Sequence, residues 1–269
     1  MTERHHRTSV EEYRASGPSF AEGEVIERIE AFRKRRPRLR DEIVTLAHGA
    51  GGKSSAALVD AVFVEAFRNP QLELLGDGAV LSPPGGPRLA MSTDSFVVQP
   101  LRFPGGSIGH LAVHGTVNDL AMAGATPQWL SAAFVLEEGF PIAELRAIAE
   151  DMAAAATGAG VTIVTGDTKV VPRGAADGLF ITTTGVGVIP EGRSLSAGDV
   201  RPGDRIVLSG PMGDHGMAIM LARGDLAIEA DIRSDTAAVA SAVAALLEAA
   251  PNTRWLRDPT RGGVGTVCN

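Results

Sequence analysis

The chain has 269 residues, 44% of them apolar and 21% charged, enough for one large or two modest domains at roughly 150 residues each. Its net charge of −7 excludes a nucleic-acid partner held by bulk positive charge, and its one cysteine excludes a disulfide framework or a Cys-based zinc cage. No apolar run reaches the roughly 18 residues of a membrane span and no signal-peptide pattern is seen, so the expected setting is the cytoplasm. Residues 1–44 hold ten Lys/Arg and nine Asp/Glu, leaving 15 basic and 23 acidic residues for the rest. Residues 1–40 therefore read as a charged N-terminal extension, partly disordered. Val25, Ile26, Ile29 and Phe32 predict an amphipathic helix over 24–36, stopped by Pro37. Its run Arg33-Lys34-Arg35-Arg36 reads either as a contact for an acidic partner or as a solvated helix end.

Strands and helices then alternate, as in a mixed α/β fold. Ile43–Leu46 reads as a strand, and Ser54–Phe67 as a helix with Leu58, Val62, Phe63 and Phe67 inward. Leu89–Val98 reads as a strand, and Ile108–Met122 as a helix ended by Gly124. Pro141 opens a helix to about Ala156, and Val161–Thr165 and Leu179–Ile189 are β-branched strands. Pro190–Pro202 looks like a linker. After it come a strand at Arg205–Ser209 and helices at Gly213–Arg223 and Asp235–Ala249. Two domains are expected, 41–190 and 200–269, the second small for an independent core.

Polar residues gather at the ends of these apolar segments. His48-Gly49-Ala50-Gly51-Gly52-Lys53-Ser54 opens a helix, so its backbone N–H groups, its lysine and the helix dipole suit an anion. It reads as a phosphate cradle resembling a P-loop, or as a Gly-rich turn capped by serine. Asp77, Asp94, Asp119 and Asp167 sit on different elements, and carboxylates so distributed can supply the oxygen ligands magnesium wants. Taken singly, most such aspartates are turn or cap residues. Asp94 differs, because a carboxylate inside an apolar strand needs a positive partner. Lys169 is either an ion-pair partner of Asp167 or a phosphate contact. Arg257-Asp258-Pro259-Thr260-Arg261-Gly262-Gly263 suits phosphate or metal contact, or is a polar turn. His110 and His114 read as a helix-surface pair lacking a third metal ligand, and His215 as a cap-region residue.

Taken in order, the glycine loop, Gly76-Asp77-Gly78-Ala79-Val80, Ser92-Thr93-Asp94-Ser95, Val117-Asn118-Asp119-Leu120-Ala121-Met122, Thr165-Gly166-Asp167-Thr168-Lys169-Val170-Val171 and the Arg257–Gly263 run resemble one family. It is the hydrogenase maturation factor family HypE, in the ATP-binding superfamily of aminoimidazole ribonucleotide synthetase and selenophosphate synthetase. The resemblance runs from about 43 to 269. It implies an α/β first domain that forms a sheet-paired homodimer, and a second domain incomplete here. ATP and Mg²⁺ would lie in a cleft. His48, Gly49, Gly51, Gly52, Lys53, Asp77, Asn118, Asp167 and Lys169 are implied as nucleotide-binding, and Asp77, Asp94, Asp119 and Asp258 as metal or phosphate aspartates. The implied activity is ATP-dependent dehydration of a C-terminal cysteine S-carboxamide to a thiocyanate, with the carbamoyltransferase HypF and the HypC–HypD iron scaffold as partners. The cyanide would become an iron ligand of nickel–iron hydrogenase.

The family's acceptor thiol ends the chain in a Pro-Arg-Ile-Cys tail, whereas this sequence ends Thr266-Val267-Cys268-Asn269. Cys268 is therefore given no acceptor role, and the sequence is expected to be a truncated form that does not complete the dehydration. The alternatives are another ATP-dependent enzyme of the superfamily, a P-loop enzyme, or a non-catalytic dimerising scaffold for maturation partners. A selenophosphate synthetase would want a reactive cysteine near the glycine loop, and a thiamine-phosphate kinase paired aspartates at Gly76-Asp77-Gly78.

Overall fold

The computed structural model describes residues 38–267 apart from 227 and 229. The helix expected over 24–36 and Cys268 lie outside the described residues. The first helix, α1 (Lys53–Leu58), passes through a π-helical stretch at Val59–Val64 into α2 (Glu65–Phe67). A five-stranded sheet follows, built from β1 (Ala79–Leu81), β2 (Leu89–Phe96), β5 (Thr126–Glu137), β6 (Thr162–Val171) and β7 (Leu179–Val188). Its spatial order is β1-β2-β7-β5-β6. All neighbours are antiparallel except β5 and β6, which are joined through helix α4 (Ile142–Ala159) as parallel strands require. Between β2 and β5 lie a short hairpin, β3 (Arg102–Phe103) with β4 (Gly106–Ser107), and helix α3 (Ile108–Met122). Beyond the sheet come α5 (Asp214–Arg223), α6 (Ala240–Ala249) and α7 (Gly263–Val267).

Helices α3 and α4 cover one face of the sheet. Ile108, Ala112, Val113, Thr116, Val117 and Leu120 recur at helical spacing and are all fully buried against Leu130, Leu179 and Ile181. A pair of buried hydroxyls fixes the register of α3 on β7. Thr183 donates to the Ala112 carbonyl at 2.8 Å and lies 2.6 Å from the Thr116 hydroxyl. Gly124, at φ +77°, turns the chain from α3 into β5. The opposite face, carrying Met91, Trp129, Thr182 and Thr184, bears no helix among the described residues.

Several elements differ from the sequence-based expectation. β5 has no counterpart there, because Ser131-Ala132-Ala133 lacks β-branched residues and helix-permissive alanines mask the alternate burial of Leu130 and Ala132. β6 continues six residues past Thr165, since pairing with β5 satisfies its backbone while Asp167 and Lys169 point to solvent. Ile43 and Val44 are exposed and form no strand; the chain instead coils into a turn at Leu46–Gly49, closed by the reciprocal Thr45–His48 contacts. Arg205–Ser209 is not a strand either, as no described strand runs beside it. In the first helix Val62, Phe63 and Phe67 face outward while Ala57 and Val64 are buried. The π turn adds residues per turn and so rotates the apolar face away from the 3.6-residue register.

α3 and α4 meet at Gly109, where an added Cβ would sit 2.7 Å from the Ile148 carbonyl oxygen. Gly109→Ala therefore pushes the helices apart. It is expected to cost about 1–3 kcal/mol despite alanine's better helix propensity. Urea unfolding measures the change, and a stability equal to or above wild type would contradict this packing.

Candidate functional site

The site forms where β1, the inner end of α3 and the loop after α6 converge. Asp77 precedes β1, Asp119 lies on the last turn but one of α3, and Asp258 lies on the loop before α7. One carboxylate oxygen from each falls within 4.8 Å of the others. Asp94 joins from β2, on the same strand face as Ser92 two residues earlier. The Ser92 hydroxyl donates to Asp119 Oδ2 at 2.6 Å and lies 3.0 Å from the Asp77 carbonyl.

Two arginines of the 257–263 loop answer the negative charge. Arg257 Nε is 2.9 Å from Asp77 Oδ1, and Arg261 Nη2 is 3.7 Å from Asp94 Oδ1. They do not neutralise the group. Burial pushes the Asp77 carboxyl up to about 6, against the pull of Arg257 and with further upward pressure from Asp258. Burial raises Asp119 to about 7; its Ser92 hydrogen bond opposes this, and Asp258, Asp77 and Asp94 add to it. Asp94 is likewise raised, mainly by burial, with Arg261 opposing. Carboxylates held this close and this dry favour either a proton or a cation. The donor set, hard oxygens from three elements, fits Mg²⁺.

The glycine loop abuts the same place. A Cβ at Gly51, where φ is +80°, would lie 2.5 Å from the Arg261 carbonyl oxygen, so only glycine allows the loop to rest on that turn. Lys53 opens α1 directly after it. His48 takes a different role: its ring is buried, Thr45 N–H donates to Nδ1 at 2.9 Å, and Nε2 is 3.3 Å from Asp41.

Three candidates lie off this cluster or face away from it. Asp167 and Lys169 lie on the edge strand β6, three strands from β2, exposed and ion-paired to each other at 3.1 Å. The Lys169 hydrogen bond and the Thr168 N–H hold the Asp167 carboxyl below its ordinary range. A shallow groove of about 510 Å³ runs between β6 and α4 beside Asp167. Asn118 faces away from the carboxylates and bonds the backbone at 237–239. His110 and His114 lie 6.0 Å apart, and among the described residues no metal-spaced group includes them. Burial pushes the His114 ring down to about 4. His215 sits on Ser234 at 3.0 Å. Ser92 extends the set read from sequence, and the two-residue strand period from Asp94 was the available signal for it; the Arg257–Gly263 run, read from sequence as suited to phosphate or metal contact or as a polar turn, supplies the arginines beside Asp77 and Asp94.

Residues 75–189 match the family described as AIR synthase related protein, N-terminal domain. The carbamoyl dehydratase HypE of Azotobacter vinelandii is 56% identical over 231 residues, covering 86% of this chain and 67% of that protein. This chain belongs to the HypE family. HypE proteins are enzymes, named as carbamoyl dehydratases, and serve hydrogenase maturation. A crystal structure of a HypE–HypF complex superposes with a TM-score of 0.74 at 49% identity, over 78% of this chain and 68% of that one. A HypE structure in complex with ATP gives 0.64 at 50% identity, over 83% and 66%. The chain thus spans about two thirds of the length of these HypE relatives.

The raised carboxyls set a pH test. Asp119 moves from 3.8 to about 7 on folding, so the folded state holds its proton more tightly than the unfolded chain does. That contribution is full below pH 3.8 and is lost as pH rises through about 7. In metal-free buffer the stability of Asp119→Asn relative to wild type should therefore climb between these limits. Urea midpoints at several pH values measure it, and parallel curves for the two proteins would refute the burial argument.

Proposed function

We propose that this chain carries the nucleotide-binding half of an ATP-dependent carbamoyl dehydratase. The observation that carries the reading is the convergence of Asp77, Asp119 and Asp258 beside the glycine loop, in a chain of the HypE family. In this reading 41–190 is the nucleotide-binding and dimerisation domain and 200–269 part of the second domain. Asp77, Asp94, Asp119 and Asp258 would hold Mg²⁺, which neutralises phosphate charge when bound. The backbone N–H groups of Gly49 and Gly52, with Lys53, would face the phosphates, while the Gly51 N–H donates to the Ser55 hydroxyl at 2.9 Å and holds the loop in shape. Arg257 and Arg261 would place positive charge where negative charge develops in phosphoryl transfer.

An amide oxygen is a poor leaving group. Transfer of the γ-phosphoryl group to the oxygen of a cysteine S-carboxamide, with release of ADP and loss of one N–H proton to solvent, makes an iminophosphate. Breaking its C–O bond as the remaining N–H proton departs leaves the thiocyanate. The amide oxygen ends on inorganic phosphate, so carboxamide and ATP give thiocyanate, ADP and phosphate. The acceptor cysteine is supplied by the family's C-terminal tail. HypF is proposed as carbamoyl donor, in line with the HypE–HypF complex, and the HypC–HypD scaffold as cyanide acceptor. The cytoplasm is the proposed setting; no described helix is long and apolar enough to cross a membrane.

Equilibrium binding of ATP with Mg²⁺ tests the cleft against a P-loop. Asp77→Ala or Asp94→Ala should weaken binding about tenfold or more, the scale of a lost charged interaction, and Lys53→Ala less. The reverse ranking would favour the P-loop. A homodimer is proposed through the open sheet face, where Trp129 is 48% and Met91 42% exposed. Trp129→Asp is expected to convert a dimer into monomer by light scattering, and an unchanged mass would exclude this face.

A further inference from the structure

We infer that Asn118 is a positioning residue that registers α6, and through it Asp258, against Asp119. Its side-chain amide is engaged at both ends by one segment: Nδ2 donates to the Ala237 carbonyl at 2.9 Å, and Oδ1 accepts from the Val239 N–H at 2.9 Å. Such two-point pairing to alternate residues is what a neighbouring strand would offer, and it fixes both the position and the direction of the segment. Val239 is the residue from which α6 departs. One helical turn earlier on the same face of α3, His114 Nδ1 lies 3.2 Å from the Thr236 hydroxyl. Ser234 N–H donates to the Pro104 carbonyl at 2.8 Å, so the segment is pinned along its length to the α3 layer.

The next residue of α3 does the other job. Asp119 points about 100° around the helix from Asn118, to Ser92 and the carboxylates. Asp258 arrives on the loop that follows α6. Its distance from Asp119 depends on where α6 starts as well as on the Arg257–Asp77 contact, and Asn118 sets that start. Two adjacent side chains thus divide the work, one docking the second unit and the other receiving its carboxylate. The inference rests on the reading of Asp77, Asp119 and Asp258 as one cation site.

The probe is Mn²⁺, titrated against the whole chain and followed by its electron paramagnetic resonance. Asp258→Asn should weaken Mn²⁺ binding, and Asn118→Ala should weaken it about fivefold, a coupling within the range of connected residues. The double variant should bind no more weakly than Asp258→Asn alone, because Asn118 acts only through that carboxylate. Val239→Pro deletes the N–H that Asn118 accepts while leaving Asn118 in place, and it should reproduce the loss. It also carries the test if Asn118→Ala fails to fold. Wild-type Mn²⁺ affinity in Asn118→Ala or in Val239→Pro, or losses that multiply in the double variant, would overturn the inference. Unchanged affinity in Asp258→Asn would instead overturn the cation site itself, and the inference with it.

Discussion

Three carboxylates held within 4.8 Å of one another repel, and the rest of this molecule is arranged around tolerating that. Asp77, Asp119 and Asp258 come from segments far apart in the chain, so no local structure forces them together. What forces them is the packing of α3 on the sheet and of the 257–263 loop on both. The Arg257 and Arg261 side chains offset part of the repulsion. Burial above all, with the neighbouring carboxylates adding to it, pushes Asp77 and Asp119 toward neutral pH. A site with residual unmet charge of one sign is poised for an incoming ion of the other.

Helix α3 is the element on which this depends. Its apolar face is buried against β7 and β5, and the Thr116–Thr183 pair prevents it sliding along the sheet. Its last turns carry both Asn118 and Asp119. A helix so well anchored is a rigid platform, and a carboxylate on it keeps its place when partners arrive from more loosely held loops. Asp258 sits on such a loop, which explains why its position needs a second fixing point.

Much of this was legible in sequence where local chemistry and tertiary structure agree. The bounds of α3 follow from its apolar spacing and from Gly124. Asp94 stands out because a carboxylate in an apolar strand demands compensation, and Arg261 provides it. Illegible parts are those decided at a distance. β5 is a strand because β7 and β6 flank it, not because Ser131-Ala132-Ala133 prefers extended backbone. Arg257 meets Asp77 across most of the chain, and no spacing rule connects them. His48 belongs to a sequence motif that resembles a phosphate loop, yet its ring is spent on closing a turn at Thr45. Asn118 bonds a segment that composition alone could not place beside it.

The resting of Gly51 on the Arg261 carbonyl joins the two ends of the described chain. Chains emerge from the ribosome N-terminus first, so the loop is made long before the turn that supports it. Its final shape is therefore out of reach until the turn around Arg261 has emerged. A ribosome-bound fragment that stops after β7 can complete the sheet and α3 yet has nothing to lay the loop against.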